Sequence, residues 1–510
     1  MSEDIRKPHQ RLTGVRRALL FALLSLTVCA VVNPGNFGTI DTVRRLQVAR
    51  WIRLGEPPVS SQDTGFGIIG RGGVRHAWYG IGQSLLLIPC DALVSAAVMP
   101  VLDHYGLNAE KRQQIAVLVI AFLMQSFVTT GSLVLAYELL ILFQFTPDVS
   151  IAGALSLLFG TLYLQYVQSA QENNLLLLLA LCALYGVLRW QRENSAEWAA
   201  IAGAAGGFAI LVRLPSVLEA GVFAMFAVSV HAQRTRFLAA YLPPVAAALL
   251  LDRWYHWYRF GELFSTYMGI FGRQFRPSGE PGTYPFNYPF WKGVIGTFFS
   301  PDKSVFLFDP LLVVLVFVAA WKWRSIQTSL RIAIVWLAVL LLLYSAVHAR
   351  YIDFGGDVAW GHRFVTLPAG LLALFAVPLL LTSTESLPAL LRRMAWGLVF
   401  FAMILQGAST TLAPNVEVIQ REMGYDKGVI VNRAINLAQM AAHREDPSRF
   451  AGIPKEWRSV YYLPFQLRFE FPRLARWAIA AWVAIVVLLF VVVIATLRSE
   501  ATGYRPAAPE

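Results

Sequence analysis

Asp41 follows the first long apolar run of the chain, in Asn33-Pro-Gly-Asn-Phe-Gly-Thr-Ile-Asp41-Thr-Val-Arg44-Arg45-Leu-Gln47-Val-Ala-Arg50-Trp. A carboxylate at that boundary can take a proton from a substrate or hold a metal ion. It also sits where a helix N-cap belongs, with Arg44 and Arg45 three and four residues on, so starting a helix is its plainer use. Glu172, in Gln168-Ser-Ala-Gln171-Glu172-Asn173-Asn174, is wedged between two apolar runs. A charge so placed is costly unless paired, although a solvated turn would also hold it. Arg213, in Val-Arg213-Leu-Pro215, either snorkels or meets a fixed anion. Arg363 opens an apolar run after Trp360-Gly361-His362, and Lys303 lies in Ser300-Pro301-Asp302-Lys303. An arginine can grip phosphate with two parallel hydrogen bonds, and a lysine adds a point charge. In Gly70-Arg71-Gly72-Gly73-Val-Arg75-His76-Ala-Trp78-Tyr79-Gly80-Ile-Gly82-Gln83, His76, Tyr79 and Gln83 could contact a sugar or an acceptor. An aromatic belt at a membrane interface explains the same segment. Further acidic positions in these clusters are Asp302, Asp309, Asp353 and Asp357.

Only a membrane could position these groups. Of 510 residues, 56% are hydrophobic and 15% charged, with a mean hydropathy of +0.54. Soluble chains carry about 25% charged residues. The apolar residues form long blocks that lipid alone can bury, as helices satisfying their own backbone groups. The prediction is an all-α, polytopic bundle of about twelve transmembrane helices. The predicted spans are 18–33, 114–142, 150–169, 173–188, 197–211, 215–231, 237–251, 309–321, 330–347, 364–381, 395–411 and 476–496. The run 81–101 holds Pro89, Asp91 and Pro100, so a re-entrant or membrane-surface segment is expected there. Lys111 and Arg112 would then lie outside.

The net charge of +12 comes from short basic clusters between apolar runs, which excludes a nucleic-acid groove. Arg11, Arg16 and Arg17 put the N-terminus inside. Arg189 with Arg192, Arg234 with Arg236, Lys322 with Arg324, and Arg392 with Arg393 mark inner loops. Arg498 and Arg505 put the C-terminus inside. The polar clusters named above then share the outer face. The first run lacks a small-residue cleavage site and reads as a retained anchor. Cys29, Cys90 and Cys182 lie in apolar runs and suggest neither disulfides nor zinc. No internal repeat is visible, which disfavours a transporter. The expected organisation is a catalytic module over 1–411 with outer loops 35–80 and 252–308. A small outer cap over 412–475 follows, then a last span and a cytoplasmic tail over 476–510.

The ordered set of motifs resembles the GT-C glycosyltransferases, above all the bacterial group related to the aminoarabinose lipid A transferase and the protein O-mannosyltransferases. An acidic residue in the first outer loop matches Asp41, and a second before a later span matches Glu172. Arg213-Leu-Pro215, Tyr258-Arg259-Phe260-Gly261, Ser300-Pro301-Asp302-Lys303 and Trp360-Gly361-His362-Arg363 follow in the family's order. Asp41-Thr42 departs from the Asp-Glu pair of many relatives. The resemblance implies transfer of a sugar from a polyprenyl-phosphate donor to a lipid, glycan or protein acceptor, with inversion, in the bacterial inner membrane. Asp41 would be the base and Glu172 its partner, and Arg213, Lys303 and Arg363 would bind the phosphate. No cofactor is required; Mg²⁺ or Mn²⁺ is compatible, with Asp41 and Glu172 as ligands. The alternatives are a lipid-linked glycan flippase and a noncatalytic lipid-sugar-binding protein.

Overall fold

The computed structural model describes residues 8–60, 65–230, 233–356, 359–425, 427–444, 446–470 and 472–502. Asp357 and Arg505 lie outside them, as do the side chains of Arg11 and Arg498. The chain is a polytopic helical bundle. Among the described residues nine helices are long and apolar enough to cross a membrane, and a tenth if a bent pair counts as one. Three shorter apolar helices, Ala196–Val212, Leu214–Val230 and Leu311–Lys322, complete the set. Each predicted span falls on one of these elements. Among the described residues the sheet is confined to Ile68–Ile69 paired antiparallel with Arg75–His76.

The bent pair, Pro147–Gly160 and Tyr163–Ser169, breaks by 57°. The break frees backbone groups that a membrane cannot solvate. Asp309 answers one of them, accepting from the Leu162 N–H at 2.9 Å.

Of the two forms expected for the run 81–101, the re-entrant one does not occur. The run is one helix, Gly82–His104, itself long and apolar enough to cross, and it does not turn back on itself. The costs that argued against a spanning helix are met locally. Asp91 pairs with Arg50 at 3.0 Å and also with Arg53, and a π-turn at Val94–Val98 absorbs the irregularity. Gln83 lies beside Met124, and Asp103 pairs with Arg112. The helix therefore retraces the first half of Ala109–Leu142 and stops short of the end where Tyr137 meets Arg17.

Two ends of the bundle are chemically distinct. Arg17 bonds Tyr137, Arg192 bonds the Leu142 carbonyl, and Arg236 covers Trp190. At the other end stand Asn33 and Glu172, at the opposite termini of the helices that carry Arg17 and Arg192, together with Arg213, His348, Arg363 and Thr411 at the ends of further helices. Over that second end sits a cap built from Val416–Glu422, Val429–Ala441 and Leu463–Glu470. Its buried pin is Arg433. This side chain pairs with Glu417 at 2.6 Å and donates to the Ala408 and Ser409 carbonyls of helix Ala389–Thr411. A cation against the last carbonyls of a helix is favourable. Arg433 also covers the Trp360 ring at 4.9 Å, joining the cap to the segment that carries Arg363.

Candidate active site

Three chain breaks bring the charged residues together. The first lies between Tyr163–Ser169 and Glu172–Glu193, where Ala170 adopts a left-handed conformation (φ 49°). That conformation costs a residue with a Cβ about 1–2 kcal/mol. Two side chains brace it: Thr42 donates to the Ala170 carbonyl at 2.8 Å and Gln83 at 3.1 Å. The turn starts a new helix at Glu172, so its carboxylate gains the positive end of a helix dipole. Asp41 lies in the first turn of Ile40–Leu54, capped by Thr39 and not by Asp41 itself. Gly38 (φ +64°) lets that loop approach Ser169, for a Cβ there would fall 2.8 Å from the Ser169 Cα. In the third break, Gly356 (φ +86°) leaves room for Arg363. A Cβ on Gly356 would sit 2.5 Å from the Arg363 Cβ.

Arg363 is the hub. Its Nη2 donates to Asp41 Oδ2 at 2.6 Å and to Glu172 Oε1 at 3.1 Å. The Tyr79 hydroxyl donates to Asp41 Oδ1 at 2.7 Å. Arg45 pairs with Glu172 Oε2 at 3.1 Å and covers the Tyr79 ring at 4.2 Å. Burial, and then the Asp41 carboxylate, push the Tyr79 phenol above its ordinary range, so it stays a donor. Arg213 lies over the Phe364 ring at 4.5 Å and faces His348 at 3.4 Å. Among the described residues it forms no ion pair. With Asp353, which lines the same cavity, three carboxylates balance the guanidinium groups of Arg45, Arg213 and Arg363.

Asp41, Arg45, Glu172, Arg213 and Arg363 all line one cavity of about 510 Å³. Val212, Leu214, Val217, Leu218 and Val347 form its apolar side. Val217 and Val347 are 43% and 48% exposed, so this side opens between helices that face lipid. A second cavity, of about 330 Å³, lies beneath the cap. Asp41, Gly356 and Arg363 line both and form the wall between them. Gly356→Ala is expected to destabilise the protein by about 1–3 kcal/mol, through an unfavourable φ and displacement of Arg363. A lower melting temperature in detergent would show it; an unchanged one would mean that Arg363 is not held against Gly356.

Other residues singled out in the sequence lie elsewhere. His76 is buried between Trp51 and Phe260 and lines neither cavity. Burial, then Arg259, lower its pKa to about 4, which keeps it neutral. Gln83 is buried and braces Ala170. Lys303 also lines neither cavity; its Nζ donates to the Ala359 carbonyl at 2.8 Å and the Gly361 carbonyl at 3.2 Å, fixing the turn before Arg363. Arg44 turns away over Phe66. Arg45, Tyr267 and His348 are members of the site that sequence reasoning passed over. The signal for Arg45 was its helical spacing from Asp41. That for His348 was a polar residue closing an apolar run. Arg259, noted in sequence only as part of a motif, holds the carbonyls of Ala77 and Tyr79 at 2.6 and 3.0 Å and so presents the Tyr79 hydroxyl.

A divalent cation held by Asp41 and Glu172 fits this arrangement poorly. A single guanidinium already bridges the two carboxylates, and among the described residues no group of three or more His, Cys, Asp or Glu converges. An ion there would have to displace Arg363 from both partners.

No known protein family matches this chain, and no curated protein is similar to it in sequence. Solved structures do share features with it, although it spans only a little over half the length of those named here. The chain is similar to the apo Archaeoglobus fulgidus oligosaccharyltransferase, at 13% identity and a TM-score of 0.42 over 80% of this chain and 57% of that one. It is likewise similar to the archaeal oligosaccharyltransferase AglB from Archaeoglobus fulgidus in complex with an inhibitory peptide and a dolichol-phosphate, at 12% identity and a TM-score of 0.44 over 79% and 56%.

Proposed function

We propose that this chain is a GT-C type membrane glycosyltransferase, moving a sugar from a polyprenyl-phosphate donor to an acceptor hydroxyl on the extracytoplasmic face. The observation that carries the reading is the shared wall. Asp41 and Arg363 divide two cavities, one of which gathers three arginines at its head and is apolar along its lipid-facing side. The prenyl chain lies along Val217 and Val347. The phosphate meets Arg213, with Arg45 and Arg363 nearby, and the sugar carbon points at the wall. The acceptor enters from the cap side. As its oxygen attacks the anomeric carbon, its proton passes to a carboxylate oxygen of Asp41, and the bond from that carbon to the phosphate oxygen breaks. Attack from the face opposite the phosphate inverts the carbon.

Each group has a defined task. Asp41 accepts one hydrogen bond on each oxygen, from Tyr79 and Arg363, which leaves a lone pair on each for the acceptor proton. Tyr79 and Arg363 fix its rotamer. Glu172 holds Arg45 and Arg363 in place and keeps both cations from collapsing onto Asp41. The leaving phosphate gains charge as the bond breaks, and preorganised cations in a dry site stabilise that charge. A phosphate needs little acid assistance, so one base suffices.

The test is release of polyprenyl phosphate from short-chain polyprenyl-phosphate sugars by the purified chain in nanodiscs. Arg213→Ala is expected to weaken binding of decaprenyl phosphate by about 10- to 100-fold, the loss of one charge-assisted contact. The reading fails if no such donor releases its phosphate, or if the variant binds decaprenyl phosphate like the native chain. Movement of labelled lipid across vesicles without any bond cleavage would point to a flippase.

A further inference from the structure

The cavity beneath the cap differs in chemistry from its neighbour. Among the described residues its only charged side chains are Asp41 and Arg363, which are bonded to each other. The rest of the wall is amide, hydroxyl and aromatic. Gln165, Ser169 and Gln171 come from the bundle, Trp360 from the segment before Arg363, and Asn415 and Trp457 from the cap. Four of these residues hold a buried polar atom with no hydrogen-bond partner in the protein: Gln165 Oε1, Ser169 Oγ, Gln171 Oε1 and Trp360 Nε1. Native interiors leave few such atoms, and each costs about 1–3 kcal/mol. These four atoms are themselves occluded, so the surface a ligand meets is the remaining amide, hydroxyl and aromatic lining, which suits a partner rich in hydroxyl groups.

We propose that this cavity takes the acceptor as a neutral carbohydrate. The inference rests on the transfer reading and names the class of its second substrate. Trp457 offers an apolar ring on which the C–H face of a sugar can lie. Amide side chains exchange donor and acceptor by rotation of the terminal group, as a polyhydroxylated ring requires. At about 330 Å³ the space is near the lower limit of small-molecule pockets, enough for a sugar ring but not for a folded partner. An anionic acceptor, such as a phosphorylated lipid head group, is disfavoured because this cavity lacks Arg45 and Arg213 among its described lining, while the Asp41 carboxylate faces it and repels an anion. A peptide acceptor would compete for the same amides, and the experiment separates the two.

The native full-length chain in nanodiscs is applied to an array of neutral oligosaccharides and an array of hydroxyl- and amide-bearing peptides. Decaprenyl phosphate binding is measured on the same preparation. Saturable binding of neutral glycans is expected, weakened about tenfold by Trp457→Ala and by Gln171→Ala. Melting temperature serves as the check on folding, and Gln171→Ala decides the matter if the tryptophan variant does not fold. Binding of peptides without any neutral glycan would overturn the inference, as would glycan binding that ignores both substitutions. Loss of decaprenyl phosphate binding in the native chain would instead overturn the transfer reading, so the two failures are distinct.

Discussion

Asp41→Asn is expected to lower the single-turnover rate of sugar transfer about a thousandfold, within the range for removing a positioned general base. The amide can still accept from Tyr79 or Arg363, so the wall keeps its shape, and Arg363 keeps its contacts to Glu172. The effect on donor affinity has the opposite sign. Removing a negative charge from this wall lifts a repulsion against a bound phosphate, on the order of 1 kcal/mol or more at an effective dielectric near 20. Decaprenyl phosphate should therefore bind the variant at least as well as the native chain. A slow enzyme that holds its donor more tightly is the signature of a base. If Asp41 merely held the phosphate-binding arginine in place, rate and affinity would fall together. Rapid-quench transfer and equilibrium binding on the same preparation distinguish the two outcomes.

Much of this arrangement can be read from the chain because a membrane penalises exceptions. A block of about twenty apolar residues has one solution in lipid, and every predicted span finds its helix. A charge at the edge of such a block demands a partner, which is why Asp41, Glu172, Arg213 and Arg363 stand out. Which partner it finds is a tertiary matter. Arg44 and Arg45 are equally close to Asp41 in helical spacing, yet Arg45 goes to Glu172 and Arg44 to Phe66. The partner of Asp41 is instead 322 residues away. Lys303 has the charge of a phosphate ligand, but its acceptors are backbone carbonyls, which no sequence pattern announces. The turn at Ala170 is similarly silent. An alanine gives no hint of positive φ, and the side chains that hold it, Thr42 and Gln83, come from two other helices. The prolines and aspartate of Gly82–His104 argued against a spanning helix, since the arginines that neutralise Asp91 lie about forty residues before it.

Arg363→Ala is expected to cost transfer about as much as the loss of Asp41, on the order of a thousandfold, because three tasks end together. The leaving phosphate loses a preorganised cation, worth about 3–4 kcal/mol in comparable sites. Asp41 loses the donor that fixes its rotamer, and the two carboxylates lose the charge between them. Their repulsion also affects the fold, though less than a fully buried pair would, since Asp41 is 18% exposed and partly screened. Arg363→Lys should recover only part of the rate. A lysine restores the charge, but its ammonium lacks the planar fork that keeps one nitrogen on both carboxylates and leaves another free. The double variant Asp41→Asn, Arg363→Ala carries the sharper expectation. Residues that act as a unit are grossly non-additive, so it should be scarcely slower than either single variant. Multiplicative losses would show two independent contributions, and the wall between the cavities would then be two neighbours and not one device.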